Sequence, residues 1–283
     1  MKEIATDILI ETEYEGVTVG AIRTPAGVVM VDTPINPKDA SAWRTTCTRS
    51  SAGSDRLLVL LDEHFDRVSG ATNIKCPVIV HEKTSQAVSS KPSLKNQPPN
   101  GMGAAWETNP EPAATTRWIH AEITFTVNMA INWGGDPILL EHHPGPSKGS
   151  TWVVVPHKHV AFIGDTVTPD QPPFFANADI DAWLESLHEL QLARFKDFIL
   201  ISGRGSLVTI DDVKDLEHFL KKAARKFEKL TASRAKVDQI EALGEELMED
   251  FAPKTKREAE QFLNRLSTGI TQYYSSHFSK KSD

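Results

Sequence analysis

Cysteine is scarce in this chain of 283 residues, which contains only Cys47 and Cys76. Neither residue belongs to a C-x-x-C pattern. Thiols this sparse are typical of a reduced, intracellular protein, so we expect a cytoplasmic location and a packing role for both side chains. A disulfide between the two stays open at the level of sequence.

Long apolar runs are also absent, since no stretch approaches the ~20 residues that a membrane-spanning helix needs. The first residues, MKEIATDILIETEY, place acids where a secretory signal would be apolar. Basic residues are outnumbered by acidic ones, which gives a formal net charge of −7 and a pI near 5.8. We therefore expect neither a membrane nor a nucleic acid as a partner.

What the chain does contain is typical of a globular protein, with 40% hydrophobic and 24% charged residues. Residues 7–33 alternate between apolar and polar positions and predict an antiparallel meander. Residues 151–163 predict a hairpin around Pro-His-Lys, and residues 179–190 predict an amphipathic helix. From Ile210 the pattern is helical to the end, apart from breaks near residues 231–233 and Pro253.

Residues 91–117 differ from their surroundings because prolines and glycines are scattered among polar residues. A loop longer than about 15 residues without secondary structure is uncommon unless it serves as a lid or a binding loop. We expect either such a functional loop or a disordered segment.

The most informative stretch is an apolar run, Leu-Leu-Val-Leu-Leu at residues 57–61, which predicts a strand buried on both faces. Asp62, His64 and Asp66 follow it at alternate positions. Acids and an imidazole at the end of a buried strand indicate a metal or catalytic site, because α/β folds place ligands at such strand ends.

The string D-E-H-F-D-R-V-S-G at residues 62–70 resembles the H-x-H-x-D-H-x-x-G motif of the metallo-β-lactamase superfamily. Four further strings resemble that superfamily's other common motifs, in matching order along the chain. They are V-D-T-P at 31–34, P-G-P-S-K-G-S at 144–150, F-I-G-D at 162–165 and S-G-R-G at 202–205. The resemblance covers residues from about 15 to 220.

This resemblance implies an α/β (α+β) fold, the four-layer αββα sandwich of the superfamily, with a helical C-terminal extension. We expect residues 1–230 to form the metallo-β-lactamase-like domain and residues 231–283 to form the extension packed on it. The apolar stripe along the C-terminal helices predicts either helical packing or a homodimer surface, rather than a separate catalytic domain.

The resemblance also locates the superfamily's metal-binding positions, most of which are changed in this chain. Three ligands are kept, namely His64, Asp66 and Asp165, the last of which matches the aspartate that bridges both metals. The other positions hold Asp62, Arg67, Pro146 and Arg204 where the superfamily usually has histidine. The aspartate of the V-D-T-P string, Asp32, would support the site from behind, unless it only ends its strand in a turn.

The charges of the changed residues suggest how the site survives without a metal pair. Asp62, Asp66 and Asp165 would repel one another if nothing cationic lay between them. Arg67 and Arg204 can each bind carboxylates through two N–H groups and would repel an entering cation. Our hypothesis is that these two arginines occupy the second metal position.

Two functions remain open at this stage, so whether the protein is an enzyme is undecided. The first is a hydrolase-like enzyme with one divalent metal (zinc, iron or manganese) or none, acting on a small, anionic substrate. Asp62, His64 and Asp165 would hold the metal, and Asp66 and Arg204 would be the catalytic residues, with Asp66 as the general base. Arg67 and Arg204 would bind the substrate. Glu141, His142 and His143 are additional candidate contributors.

The second function is that of a pseudoenzyme, a non-catalytic member that binds a small-molecule ligand or a partner. If the protein is an enzyme, we expect an open pocket in which the Arg204 guanidinium keeps N–H groups that no acceptor in the protein binds. A pseudoenzyme predicts that Arg67 and Arg204 are fully engaged by the carboxylates and that the cleft is filled. The retained His64 and the long loop at 91–117 favour the enzyme.

Overall fold

The computed structural model describes residues 1–49, 53–89, 120–233 and 237–278. The predicted loop at 91–117 lies outside these residues. Within them, the chain forms two β-sheets that are stacked face to face, with helices on both outer faces.

The N-terminal half of the chain forms a seven-stranded sheet whose strands lie in chain order from β1 to β7. Strands β1 to β4 are antiparallel, as the predicted meander requires, and β4 to β7 are parallel. The strands are β1 Lys2–Ala5, β2 Ile8–Glu11, β3 Val19–Arg23, β4 Gly27–Val31, β5 Asp55–Val59, β6 Val78–His81 and β7 Ile123–Phe125.

The second sheet has six strands in the order β13-β12-β11-β10-β9-β8. Its β10 and β11 form the predicted hairpin around a 3₁₀ turn at Pro156–Lys158, and β11 pairs with β12 in parallel. The strands are β8 Asn128–Ile131, β9 Ile138–His142, β10 Thr151–Val155, β11 Val160–Gly164, β12 Ile199–Ser202 and β13 Leu207–Val208.

The predicted strand at 57–61 lies two residues earlier than expected, at Asp55–Val59. Leu60 still donates its N–H to Ile79 O (3.2 Å), but the N–H of Leu61 is taken by Oδ1 of Asp32 (2.9 Å). The Asp32 side chain thus binds the Leu61 N–H in place of a backbone carbonyl of the sheet. The chain leaves the sheet at this point and continues into the segment that carries the site residues.

The helices form the outer layers of the sandwich. The first sheet is covered by α1 Pro37–Arg49, α2 Phe65–Val68, α3 Ala71–Ile74 and α4 Glu82–Ser89; the second is covered by α5 Ile180–Leu190, α6 Ile210–Ala232, α7 Val237–Met248 and α8 Lys256–His277. Helices α5, α6 and α8 begin after residues that favour the N-cap position. Asp179, Thr209 and Thr255 each accept a backbone N–H of the first turn through their side chains. No helix in the described part of the chain is long and apolar enough to cross a bilayer.

Among the residues that the structure describes, three apolar cores hold the layers together. The core between the sheets includes Val59 and Leu61 from the first sheet and Val153 and Phe162 from the second. One outer core packs α1 to α4 on the first sheet, and the other packs α5 to α8 on the second. Apolar strands such as β4 and β10 are buried on both faces because both faces are covered, which confirms the predicted αββα sandwich with C-terminal helices. The division at residue 230 stays a prediction.

Candidate functional site

Four strand ends converge at one edge of the sandwich. β4 leads to Asp32, β5 leads to the segment 62–67 that includes most of α2, β11 leads to Asp165, and β12 leads to Arg204. Because β4 and β5 are parallel, as are β11 and β12, their carboxyl ends meet at this edge. The fold therefore brings residues far apart in sequence into one group.

The charged residues of this group form a buried ion cluster, and each of them is at most 8% exposed. The ion cluster consists of Asp32, Asp62, His64, Asp66, Arg67, Asp165 and Arg204. Buried charges are costly unless they are paired and hydrogen-bonded, so the pairing within the cluster decides its stability.

Arg67 is fully buried and contacts three carboxylates at once. Its Nη1 lies 3.2 Å from Oδ2 of Asp32, its Nε lies 3.2 Å from Oδ1 of Asp62, and its Nη2 donates to Oδ1 of Asp165. Asp32 also accepts the Leu61 N–H, so it holds the guanidinium group from behind. Every nitrogen of this guanidinium therefore faces a carboxylate.

Arg204 pairs with Asp66, the remaining carboxylate of the ion cluster, and also binds Asp165, which it shares with Arg67. Its Nε donates to Oδ2 of Asp165 (3.0 Å), while Nη1 and Nη2 bind the two oxygens of Asp66 in a fork, the second at 3.1 Å. Its Nη1 also donates to the carbonyl oxygen of Gly16 (2.6 Å). This bidentate geometry is the one that guanidinium groups favour with carboxylates.

His64 lies between two of the acids. Its Nδ1 is 3.1 Å from Oδ2 of Asp62 and 3.2 Å from Oδ2 of Asp165. Both ring nitrogens are buried and neither makes a hydrogen bond of regular geometry with the described residues, so the two contacts of Nδ1 are ion pairs; the ring meets Phe174 edge-on. The imidazole thus bridges two carboxylates through one nitrogen only.

The pairing shifts the pKa values of the acids in different directions. Burial would raise the pKa of Asp165, but the guanidinium groups of Arg204 and Arg67 hold it well below its usual range. Burial would likewise raise the pKa of Asp62, but Arg67 and His64 lower it. Burial raises the pKa of Asp32 to about 7, although Arg67 acts against the increase.

The basic groups are held in their charged forms. Burial would lower the pKa of His64, but Asp62 and Asp165 around its ring raise it to about 10. The acids likewise outweigh burial and raise the pKa values of both arginines. With His64 protonated, four carboxylates and three cationic groups leave the ion cluster at −1.

The backbone at Gly203 lies directly against these ions. A Cβ atom there would lie 2.8 Å from Nη1 and Nη2 of Arg67 and from Oδ1 of Asp165. Only glycine leaves room for this contact. Steric exclusion by the ion cluster therefore explains why the first glycine of the S-G-R-G string, Gly203, has no side chain.

Glu141, His142 and His143 do not join the ion cluster, although the sequence made them candidates. Glu141 pairs with His143 and Arg194, and His143 stacks on Trp152. His142 contacts Lys148 O through Nε2 (2.9 Å). All of these contacts lie in and around the end of β9, so these residues serve local structure.

The cleft beside His64 and Asp165 is almost completely filled. A cavity of about 10 Å³ remains there, lined among others by Arg204, Phe174 and Arg265. A single water needs about 10–15 Å³ of such volume. Arg265 belongs to α8, and its place here could not be anticipated from the motifs of residues 31–205.

The donor set does not fit the second metal position of the superfamily. Asp66 would be a ligand there, but both of its oxygens are bound by Arg204. Arg67 and Arg204 offer no lone pair to a metal and carry fixed positive charge. A cation entering this position would have to displace a guanidinium group.

The first metal position is different, because Asp62, His64 and Asp165 offer ligand atoms within 4.8 Å of one another. Ligand atoms around a tetrahedral zinc ion lie about 3.3–3.4 Å apart, given bonds of about 2.0–2.1 Å. The distances of 3.1 and 3.2 Å from Nδ1 to the two carboxylates are close to that value. These three residues would fit one ion, in competition with the proton on His64.

The six residues predicted to hold the metal, act as the base or bind the substrate are thus brought together, whereas their functional roles stay predictions. Asp62, His64 and Asp165 share one side of the ion cluster, and Arg204 and Asp66 share another.

Comparison with known proteins agrees with this architecture. Residues 63–237, more than half of the chain, match the model of the metallo-beta-lactamase superfamily. A metallo-beta-lactamase from Pontibacter korlensis superposes with a TM-score of 0.63 at 16% identity, covering 78% of this chain and 97% of its own. The DIM-1 metallo-beta-lactamase gives 0.59 at 17%, covering 78% and 96%.

A metallo-beta-lactamase from Hirschia baltica is similar to the same degree, with a TM-score of 0.59 at 14% identity over 77% of this chain and 96% of its own. A search of the curated proteins gave no match. At these identities the solved structures establish the fold alone. Together with the family match, they show that the chain belongs to the metallo-β-lactamase superfamily, as a divergent member.

Proposed function

We propose that this protein is a non-catalytic, ligand-binding member of its superfamily, in which Arg67 and Arg204 take the place of a metal pair. The observation that supports this most strongly is that all three nitrogens of Arg204 are engaged by Asp66 and Asp165. This reverses the preference for an enzyme that the retained His64 suggested in the sequence.

Electrostatics argue for the same function. The two guanidinium groups and protonated His64 supply three positive charges to the four clustered carboxylates. Arginine remains protonated at every accessible pH, so this charge cannot be released to admit a cation. The chain's own cations therefore balance all but one of the negative charges of the ion cluster, so the cluster does not need a metal pair as its counter-charge.

The available space argues against hydrolysis at this centre. A hydrolase must admit both a substrate and an attacking water, and ligand pockets usually measure about 300–1,000 Å³. The cavity beside His64 and Asp165 measures about 10 Å³. Asp66 could not act as a general base in this arrangement, because Arg204 binds both of its oxygens.

Metal analysis of the purified protein tests the proposal. After incubation with zinc and removal of loosely bound ions, we expect close to no zinc per chain by mass spectrometry. The double variant Arg67→His/Arg204→His restores two imidazole ligands and should gain bound zinc under the same conditions. About two zinc ions per chain in the wild type would overturn the proposal.

Activity supplies an independent test. We expect no turnover of chromogenic β-lactam, thioester or phosphodiester substrates above that of a heat-unfolded sample. Hydrolysis of any of these by the wild type, lost in an Asp165→Asn variant that remains folded, would contradict a non-catalytic role.

A mononuclear hydrolase-like enzyme is the second candidate, favoured by the close approach of Asp62, His64 and Asp165. One zinc, iron or manganese ion there would act as a Lewis acid and lower the pKa of a bound water. This candidate predicts one ion per chain, lost in His64→Ala and kept in His142→Ala, which changes a histidine outside the ion cluster.

A further inference from the structure

The small cavity beside His64 is bounded by a segment of the loop that follows β11. We call this segment, residues 171–174 with the sequence Gln-Pro-Pro-Phe, the plug. Pro172, Pro173 and Phe174 all line the cavity. The ring of Phe174 meets the imidazole of His64 edge-on, with 6.2 Å between the ring centroids. The plug thus supplies one wall of the space that His64 faces.

The residue after the plug anchors it in an apolar core. Phe175 is completely buried, and its ring contacts those of Phe227 in α6 and Tyr273 in α8. Phe174 is 9% exposed, and its ring contacts His64 instead. Two neighbouring aromatic rings therefore have different surroundings, one within the outer core and the other at the ion cluster.

Helix α8 holds the plug in place at two points. Arg265 donates to Oε1 of Gln171 (3.2 Å) and to the carbonyl oxygen of Pro172 (3.3 Å). One turn further along the helix, a Cβ atom at Gly269 would lie 2.8 Å from the backbone N of Phe175. The C-terminal extension is therefore attached to the start of the plug by hydrogen bonds, and it packs closely against the end.

The two prolines suit a segment that must be buried and stiff. Pro172 and Pro173 are both buried, and neither has an N–H group that would need a partner there. The proline ring fixes φ, so the plug has few backbone conformations. A stiff segment of this kind moves as a unit when the contacts at its ends are released.

The plug covers an imidazole that is short of hydrogen bonds. Both ring nitrogens of His64 are buried, and Nε2 has no partner among the residues that the structure describes. A buried polar atom without a partner raises the free energy of the closed state, whereas water would supply the missing partner if the plug moved away. Closure is therefore maintained by the packing of the plug on α8, and the imidazole opposes it.

We propose that the plug and α8 form an autoinhibitory contact, in which α8 keeps the plug closed over His64. Release of the plug from α8 opens His64 to water and to small ligands, while the ion cluster keeps its pairing. The proposal goes beyond the proposed function, because it assigns the closure of the centre to a movable segment as well as to Arg67 and Arg204.

Deuterium exchange at the C2 carbon of each histidine, followed by mass spectrometry of the full chain in EDTA, tests the proposal. In the wild type we expect His64 to exchange at least about tenfold more slowly than His218, which is exposed on α6. Phe174→Ala removes the ring over the imidazole, and Arg265→Met releases the start of the plug. Each should accelerate exchange at His64 at least about tenfold.

Two matched variants and one internal reference control the experiment. Phe198→Ala changes a partly buried phenylalanine at the opposite edge of the sandwich, just before β12, and Arg257→Met changes an exposed arginine on α8. Both should leave exchange at His64 unchanged. His81, a buried histidine that stacks on His142, should exchange at the same rate in every variant.

Three results would overturn the proposal. The first is wild-type exchange at His64 as fast as at His218, and the second is equal acceleration at His64 and His81, which would indicate a general loosening of the fold. The third is unchanged exchange at His64 in Phe174→Ala, whose folding is checked by circular dichroism. That variant decides the test if Arg265→Met fails to fold. Because no metal is present, the outcome is separate from the zinc content that tests the proposed function.

Discussion

Nε of Arg204 lies 3.0 Å from Oδ2 of Asp165, and this bond joins the ends of two parallel neighbours, β12 and β11. The same guanidinium reaches across to Asp66 in α2, which belongs to the first half of the chain. The two halves of the sandwich are therefore connected at their edge by fixed charges, in addition to the apolar core between the sheets.

Removing the positive charge at the centre should destabilise the fold strongly. Arg67→Met leaves Asp32, Asp62 and Asp165 facing one another, and breaking a buried pair in this way costs about 3–5 kcal/mol. We expect urea unfolding to report a loss of that size. Arg194→Met, which removes a half-exposed partner of Glu141, should cost no more than about 1 kcal/mol. Equal losses in the two variants would contradict a central role for Arg67.

The pairing of Arg204 with Asp66 should appear as energetic coupling. We expect Arg204→Met and Asp66→Asn each to destabilise the protein, because each leaves a buried charged group without its fork-shaped partner. The double variant should be less destabilised than the sum of the two, with a coupling energy of about 1–3 kcal/mol in a double-mutant cycle. Simple additivity would mean that the two groups do not interact in solution.

His64 should make the stability of the EDTA-treated protein depend on pH in the alkaline range. Its pKa is raised to about 10 from an ordinary value near 6.5, so its contribution is complete below that ordinary value. The contribution is then lost as pH rises towards 10, with a slope of at most about 1.4 kcal/mol per pH unit. We expect lower free energies of unfolding at pH 9.5 than at pH 7.5.

The control for this dependence is His64→Gln, which should flatten it. Asp32 does not affect the comparison of stability between pH 7.5 and 9.5. Its pKa is raised from 3.8 to about 7, so the stability that it contributes is lost as pH rises between those two values. A wild type whose stability is the same at pH 7.5 and 9.5 would refute the charged state assigned to His64.

Helix α8 should tolerate no side chain at Gly269. A Cβ there would lie 2.8 Å from the backbone N of Phe175, which cannot move aside as a side chain can. We therefore expect Gly269→Ala to lower the melting temperature, although alanine favours helix by about 1 kcal/mol. Gly244→Ala in α7 is the matched control, since its Cβ meets the mobile Oγ of Ser267 and should cost less. A Gly269→Ala variant at least as stable as the wild type would contradict this contact.

Much of the fold was predictable because local sequence agrees with the final structure. The apolar run of β10, the Pro-His-Lys turn and the cap at Asp179 each specify their element within a few residues. The pairing of Arg67 and Arg204 with acids was also predictable, since clustered carboxylates require a counter-charge wherever they meet.

Other contacts join distant segments, and the local sequence does not specify them. Asp32 pairs directly with Arg67 because its backbone adopts a positive φ of 56° after β4, which aims the carboxylate at both Arg67 and the Leu61 N–H. Arg265 reaches the cleft only because α8 packs on the loop after β11. The V-D-T-P string predicted that Asp32 supports the site but not which groups it binds, and Arg265 belongs to no motif, so tertiary packing decides the contacts of both residues.

The threefold contact of Arg67 limits which single substitutions the chain can accept at this position. A histidine there would remove a permanent charge from among Asp32, Asp62 and Asp165 before a metal could replace it. A metal centre could therefore be built here only by changing several residues together, because each single change leaves buried acids without a counter-charge.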